Sequence, residues 1–381
     1  MLVAANLRPA ISAVGPLLGD VRISTGMSAA TAGLLTSLPL LMFAATSQLA
    51  VFLGRLLSSE TALLTAMVAL SVGSVVRSLG STGAALLGTT VIGSAIAIGN
   101  VLLPTYLKER IDRSTGPVMG VYAATLQASS GIAAGLSVPL DSAGLGWQGS
   151  LGVWAILAIV AAFVWRGYIA RAPRTVRRAV AAGAVPRISQ LRLAWSVSAF
   201  FGFQAMIFYG LVTWLPTLLG DSGMSAAGGG LALAVMQISS LPASLAIPVL
   251  AARRTDQRRF VLAGAVVCGL GLAGLAVGGS AMHIAAAVLI GLGNGTLFSL
   301  GLTFLILRAA DAPHVAALGG MAQTVGYLLG SASPVAIGWL RDATGGWSAP
   351  VLLLEVIVVA ATLTGWAAAR GQLGPVMSAT S

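Results

Sequence analysis

Apolar stretches close to twenty residues long, nearly free of charge, recur from one end of this chain to the other. At about 1.5 Å rise per residue, such a stretch crosses the roughly 30 Å hydrocarbon core of a bilayer as a helix. Lipid offers the backbone no hydrogen-bond partners, so only helices and closed barrels can span it. A barrel would show alternating segments of about ten residues, whereas these runs are unbroken. Composition agrees: 57% of the 381 residues are hydrophobic and 8% charged, against roughly 25% charged in soluble domains. The 48 glycines suit close helix packing. A lone Cys268 excludes a disulfide scaffold. The fold class is therefore an all-α membrane protein.

A twenty-residue window predicts spans at 1–19, 30–52, 61–79, 84–106, 117–140, 149–166, 194–219, 228–251, 260–279, 284–307, 315–339 and 348–369, twelve transmembrane helices in all. The net charge of +11 lies between the spans, where it orients helices rather than meets nucleic acid. With the amino terminus inside, inner segments hold 17 Lys and Arg, including Arg55, Lys108, Arg113, the group Arg166 to Arg192, and Arg253 to Arg259. Outer segments hold three: Arg22, Arg77 and Arg341. That asymmetry predicts both termini in the cytoplasm. The first apolar run starts at Met1 without the basic flank or cleavage site of a signal peptide, so we expect the natural start to lie upstream. The basic stretch 167–192, with Pro173 and Pro186, reads as a cytoplasmic linker.

The linker separates two copies of one unit. Gly26-Met-Ser-Ala-Ala30 recurs as Gly223-Met-Ser-Ala-Ala227, 197 positions on. Leu17-Leu18-Gly19-Asp20 matches Leu218-Leu219-Gly220-Asp221; Gly99-Asn100 matches Gly293-Asn294; Gly146-Trp147 matches Gly346-Trp347. Same order and near-constant offset indicate a duplicated six-helix unit: an amino-terminal half at 1–166, the linker at 167–192 and a carboxy-terminal half at 193–381. Six being even, the copies are parallel repeats, with a solute site expected at mid-membrane between them.

Asn6-Leu7-Arg8-Pro9-Ala10-Ile11, continuing through Val14-Gly15-Pro16-Leu17-Leu18, resembles the first-helix signature of the cyanate and 2-nitroimidazole transporters within the major facilitator superfamily. Ile98-Gly99-Asn100-Val101-Leu102-Leu103-Pro104 resembles that family's fourth helix, and Phe208-Tyr209-Gly210-Leu211 with Trp214-Leu215-Pro216 its seventh. The loop Gly54-Arg55-Leu56-Leu57-Ser58-Ser59-Glu60 departs from the superfamily pattern, lacking its Asp and Gly-Arg-Arg-like end; Arg253-Arg254-Thr255-Asp256-Gln257-Arg258-Arg259 keeps an Asp among arginines. The resemblance implies the major facilitator fold and secondary transport of a small polar or anionic solute, cyanate-like or nitroimidazole-like, by alternating access.

Arg8 is the strongest site candidate, because an arginine about 12 Å along a spanning helix costs about 2.5–3.5 kcal/mol unless it meets a cavity or partner. Its planar fork suits oxyanions; the bland alternative is snorkelling to the surface. Asn6, about 200° around a regular helix from Arg8, joins as a weaker candidate. Asn100 and Asn294 sit at equivalent places in the two copies. Gln127, Gln204, Gln237 and Gln323 are intramembrane amides that serve either helix packing or a polar solute. Tyr209 and Trp214 are candidate cavity walls, with Trp214, near a helix end, equally compatible with the interface; Trp147 and Trp347 read as interfacial anchors. Glu355, an acidic residue inside the last span, is a candidate proton carrier that the expected architecture sets outside the cavity.

Other motifs carry no chemistry. Gly269-Leu-Gly271-Leu-Ala-Gly274 fits a dinucleotide fingerprint but lies inside a span. Gly220-Asp221-Ser222-Gly223 is a copy of the repeated turn, not a nucleophile loop. His283 and His314 fall on opposite membrane sides, so they build no triad and no metal site. No catalytic residue, metal or cofactor is expected. The partners expected are a small-molecule substrate, protons as candidate coupling ion, and the lipid bilayer, for a monomer in the cell inner (plasma) membrane. The alternatives from other classes are a polytopic membrane enzyme acting on a lipid-linked substrate, and a channel.

Overall fold

Runs of Leu, Ala, Val and Ile of this length have one outlet in an apolar medium, the self-satisfied helix. A computed structural model describes residues 1–56, 58–110, 115–171, 188, 191–276, 279–310 and 312–371, and among them it shows helices and no strand. The amino-terminal half is built from α1 (Leu2–Ala5), α2 (Pro9–Ser12), α3 (Val14–Thr25), α4 (Ala29–Leu56), α5 (Ser59–Arg77), α6 (Thr82–Arg110), α7 (Thr115–Leu140), a π-helical turn (Asp141–Leu145), α8 (Gly146–Gly152) and α9 (Trp154–Arg171). The carboxy-terminal half has α10 (Arg192–Asp221), α11 (Ala226–Ala252), α12 (Arg258–Leu275), α13 (Ser280–Leu307), α14 (Ala312–Thr344) and α15 (Ser348–Ala368). Eight single helices are long and apolar enough to cross a membrane, and bent pairs add to them. The 33-residue α14 reaches about 50 Å at 1.5 Å per residue. It carries Gly319, Gly320, Gln323, Ser331 and Ser333 because it lies inside the bundle rather than against lipid. Exposed stripes at helical spacing, such as Val68, Val72 and Val75 on α5 and Leu352, Val356, Val359 and Leu363 on α15, form the apolar perimeter.

The duplicated turn is duplicated in its chemistry. Gly26 and Gly223 both take positive φ, 70° and 90°. Ser28 and Ser225 then cap the following helices, accepting from the backbone N–H groups of Thr31 and Gly228, each at 3.1 Å. Gly80 and Gly279, 199 apart, and Gly144 and Gly345, 201 apart, also have positive φ on the same face of the bundle. We call this the Gly26 face and the opposite one the Arg253 face.

Three sequence readings change. The first span is not one helix: it breaks at Asn6–Arg8 and again at Ala13, and α1–α2 meets α3 at 44°. Pro9 and Pro16 lack the N–H groups that the carbonyls of Ala5 and Ser12 would have received, so the ladder has gaps. Trp147 is no interfacial anchor, being 5% exposed inside the core. Trp214 is 2% exposed and gives its indole N–H to the Pro334 carbonyl at 2.8 Å, a packing role between α10 and α14. Most of the linker, with Pro173, Arg174, Arg177, Arg178, Pro186 and Arg187, lies outside the described residues, as do Leu57 and Arg113.

The halves meet through α3–α10, α4–α14 and α7–α11. Glycine makes these meetings close. A Cβ on Gly15 would stand 2.1 Å from the Val212 carbonyl oxygen, one on Gly33 2.7 Å from that of Pro334, and one on Gly338 2.8 Å from that of Ala29. Hydroxyls tie the same seam, with Thr36 and Thr213 at 2.6 Å and a chain from Ser12 through Ser130 to Gln237. Arg22 and Asp342 approach to 3.9 Å at the Gly26 face. These contacts all lie between mid-bundle and the Gly26 face.

Candidate functional site

Below that seam the halves enclose a cavity with about 440 Å³ of space between its atoms, counting its open mouth. The amino-terminal half contributes Arg8 and Gln127 to its wall, while α10 contributes Phe201, Gln204, Ala205, Phe208 and Tyr209. Ser240 of α11, Asn294, Gly295 and Phe298 of α13, and Tyr327 of α14 complete it. Arg8 is the one charged side chain among these lining residues.

The break in the first span puts Arg8 there. Arg8 is the N-cap of α2 with φ −120° and ψ −37°, followed by Pro9 at the first helical position, a place where the missing N–H costs nothing. Its Nη1 donates to the Tyr209 hydroxyl at 3.1 Å, across the boundary between halves, and its Cζ stands 5.6 Å from the Phe208 ring centroid. The bond to Tyr209 uses one of the guanidinium's five donors. Tyr122 and Tyr327 are also within electrostatic reach.

Amides from both halves supply the cavity's uncharged polar groups. Gln204 Nε2 donates to Asn294 Oδ1 at 3.1 Å, and Gln127 Nε2 donates to Ser240 Oγ at 3.0 Å. The Gln204–Asn294 pair keeps an acceptor on Gln204 Oε1 and donors on Asn294 Nδ2. Aromatic rings close the remainder: Tyr327 meets Phe43 edge-on at 5.0 Å and Phe201 at 6.3 Å, and Phe201 lies 6.4 Å from Phe298. One guanidinium, several amides and ring faces suit a small flat solute carrying an oxyanion or a strong dipole.

Of the eight residues expected from sequence, Arg8, Gln127, Gln204, Tyr209 and Asn294 converge on the cavity. Asn6 does not line it; its Nδ2 donates to the Leu2 carbonyl at 2.9 Å and the residue is 3% exposed. Asn100 on α6 and Gln323 on α14 are half-buried and outside its wall. The two copies' equivalent asparagines thus have different surroundings, Asn294 on the cavity wall and Asn100 off it. Gly99 takes Leu7 of the broken first span against it, whereas Gly293 packs on Cys268. Sequence reading missed the rings of Phe201, Phe208, Phe298 and Tyr327, although Phe201, Gln204, Ala205 and Phe208 follow i, i+3, i+4, i+7 spacing around an amide already singled out. Glu355 lies off the cavity, its Oε2 3.2 Å from where a Cβ on Gly269 of α12 would sit. His283 and His314, near the starts of α13 and α14, stand at opposite ends of the bundle.

Residues 2–334 match the Major Facilitator Superfamily. The chain belongs to that family. It is 38% identical over 376 residues to the uncharacterized transporter YycB of Bacillus subtilis (strain 168), covering 97% of this chain and 92% of that protein. Two Escherichia coli (strain K12) proteins are also similar: the 2-nitroimidazole transporter, 35% identical with 97% and 94% coverage, and the cyanate transport protein CynX, 28% identical with 91% and 90% coverage. The fold matches the crystal structure of a point mutant of the nucleoside transporter NupG with a TM-score of 0.76 at 12% identity, covering 96% of this chain and 98% of that one. The chain is thus a multi-pass membrane transporter of the major facilitator fold, with eight or more apolar helices among the described residues, and the enzyme alternative falls.

Proposed function

We propose that this transporter moves a small, flat, negatively charged or strongly dipolar organic solute, of the kind that 2-nitroimidazole and cyanate represent. The observation that carries the reading is the single guanidinium of Arg8 facing amides and aromatic rings across the boundary between halves. Arg8 with Tyr209 anchors the solute's negative end, through charge-assisted bonds that are among the stronger ones a protein makes. Gln127, Gln204 and Asn294 read its polar edge, and the Phe201, Phe208, Phe298 and Tyr327 rings hold its faces. Transport is by rocking of the halves about this site. The seam closes the Gly26 side, which we assign to the outside of the cytoplasmic membrane, so access in this state is from the Arg253 side, the cytoplasm. We further assign both termini to the cytoplasm, the halves to 1–166 and 193–381 around the 167–192 linker, and a monomer as the working unit.

Counterflow in proteoliposomes, with unlabelled 2-nitroimidazole or cyanate inside and labelled solute outside, tests this. Transient accumulation of either, lost on Arg8→Ala, is the expected result. Accumulation that survives Arg8→Ala unchanged would remove the guanidinium from the binding step.

A further inference from the structure

Arg77, the last residue of α5, is 1% exposed and belongs to none of the cavity walls. Its Nη1 donates to the carbonyl of Ala10, in the middle of α2, while its Nε and Nη2 meet no hydrogen-bond partner among the described residues. A buried guanidinium with one bond is an expensive way to satisfy one carbonyl, since two idle donor nitrogens and a full charge stay uncompensated. Its backbone is held in place: a Cβ on Gly88 of α6 would come 2.3 Å from the Arg77 nitrogen and 2.5 Å from the Gly73 carbonyl oxygen, so α5 and α6 touch there without side chains between.

The geometry points to Arg77 as a positioning residue for Arg8. The segment it grips, α2, is one turn of four residues with a break on each side. One turn cannot fix its own axis, because a helix that short has no stability of its own. Its orientation comes from neighbours: Arg77 on the Ala10 carbonyl, Ser137 on the Ala13 carbonyl at 3.1 Å, and Ser130 on the Ser12 hydroxyl. Arg8 caps this turn, two residues before the gripped carbonyl, so rotation of α2 swings the guanidinium relative to Tyr209. Arg77 supplies the longest reach of the three and comes from a helix whose position glycine packing fixes. The functional meaning rests on the proposed anchoring role of Arg8, whereas the test below uses no solute.

Cys268 is the chain's sole cysteine and is buried, so Cys268→Ala gives a clean background. In it, Arg8→Cys and, separately, Ser240→Cys are labelled with a soluble maleimide in nanodiscs, each with Arg77 intact and with Arg77→Met. Methionine removes the donors and the charge, a change that lowers the insertion cost. The labelling rate at position 8 is expected to change by about tenfold, since thiol reactivity follows access and thiolate fraction. The rate at position 240 should change by less than about twofold, and Arg77→Lys, which keeps a charged donor, should return position 8 toward its parent. If Arg77→Met does not accumulate, Arg77→Gln replaces it; its amide ends two bonds short of the guanidinium's outer nitrogens, so the same change at position 8 is expected. An unchanged rate at position 8, or equal changes at both positions, overturns the assignment.

Discussion

Arg8 and Tyr209 come from different halves, so the hydrogen bond between them joins the halves at the proposed solute anchor. Replacing Arg8 with Ala removes a charge-assisted interaction that contributes about 1.5–3 kcal/mol. Affinity should then fall roughly 10- to 150-fold at 1.4 kcal/mol per decade. The protein should stay folded, because an intramembrane charge has been withdrawn rather than added. Arg8→Lys keeps the charge without the fork and should bind at an intermediate level. Substrate-induced thermal stabilisation of purified protein reads all three states, and a full shift in the alanine variant would sink the anchoring role. Tyr209→Phe takes away only the hydroxyl that receives Arg8, so unliganded melting should barely move while solute affinity weakens by about tenfold, as a lost bond to a charged group implies. Equal losses in both would make Tyr209 a packing residue instead. Glu355 stands against Gly269, outside the cavity wall, so if transport is proton-linked, Glu355→Gln should leave proton-driven accumulation largely intact in vesicles. Loss of accumulation with counterflow preserved would place the coupling proton there.

Elements show what the sequence could and could not disclose. Span positions were legible because twenty apolar residues have a single outcome in lipid, and α10, α11 and α13 begin and end within a few residues of the expected places. The breaks in the first span were not, since Pro9 and Pro16 are equally compatible with a kinked continuous helix; what decides the matter is capping from α5 and α7, by Arg77 and Ser137. Trp147 was misread because amphipathic residues near helix ends occupy interfaces or cores alike, and only packing distinguishes them. The glycine seam was visible as composition but not as contact. Gly33→Val tests it: the added Cβ would meet the Pro334 carbonyl oxygen at 2.7 Å, so α4 and α14 must part. Overpacking of this kind costs about 1–3 kcal/mol, charged here to the state closed at the Gly26 face. Ser130→Cys in a Cys268→Ala background should react faster, by roughly 5- to 150-fold, with an impermeant thiol reagent applied from that face. An unchanged rate would mean that the seam does not gate. At the opposite face the contacts stay within the carboxy-terminal half, where Arg370 Nε donates to Asp256 Oδ2 at 2.8 Å and Arg308 binds the carbonyls of Ala368 and Ala369 at the end of α15. The hydrogen bond from Arg370, and then the backbone N–H of Arg258, hold the Asp256 carboxyl below the ordinary carboxylate range. A depressed carboxylate contributes fully above its unfolded value of about 3.9 and is lost only as pH falls through its lower folded value. The melting difference between wild type and Asp256→Asn should therefore hold constant from about pH 8 to pH 5.

At the scale of the whole molecule, duplication set the frame and divergence made the site. Both copies keep the glycine turn and its serine cap, yet the charge comes from the first copy and most of the amides and rings from the second. An asymmetric site between symmetric halves suits a solute with one anionic end, since each half then holds a different part of it. The frame also constrains orientation. Six helices return the chain to the side it left, so both copies must insert the same way round, and one charge asymmetry decides for both. The span reading of the sequence puts seventeen Lys and Arg on one side and three on the other, with the long basic segment between halves supplying the largest group. Each such residue near the membrane resists translocation, and on that balance we assign the Arg253 face to the cytoplasm. Reporter fusions check this directly. Alkaline phosphatase, active only outside, should be silent when fused after residue 180 and active after residue 222, and a fluorescent protein that matures in the cytoplasm should show the reverse. Reversed signals at both sites would overturn the orientation and with it the assignment of the glycine seam to the outer side. Agreement at one site alone would break the even-helix argument instead, because residues 180 and 222 are separated by the single long helix α10.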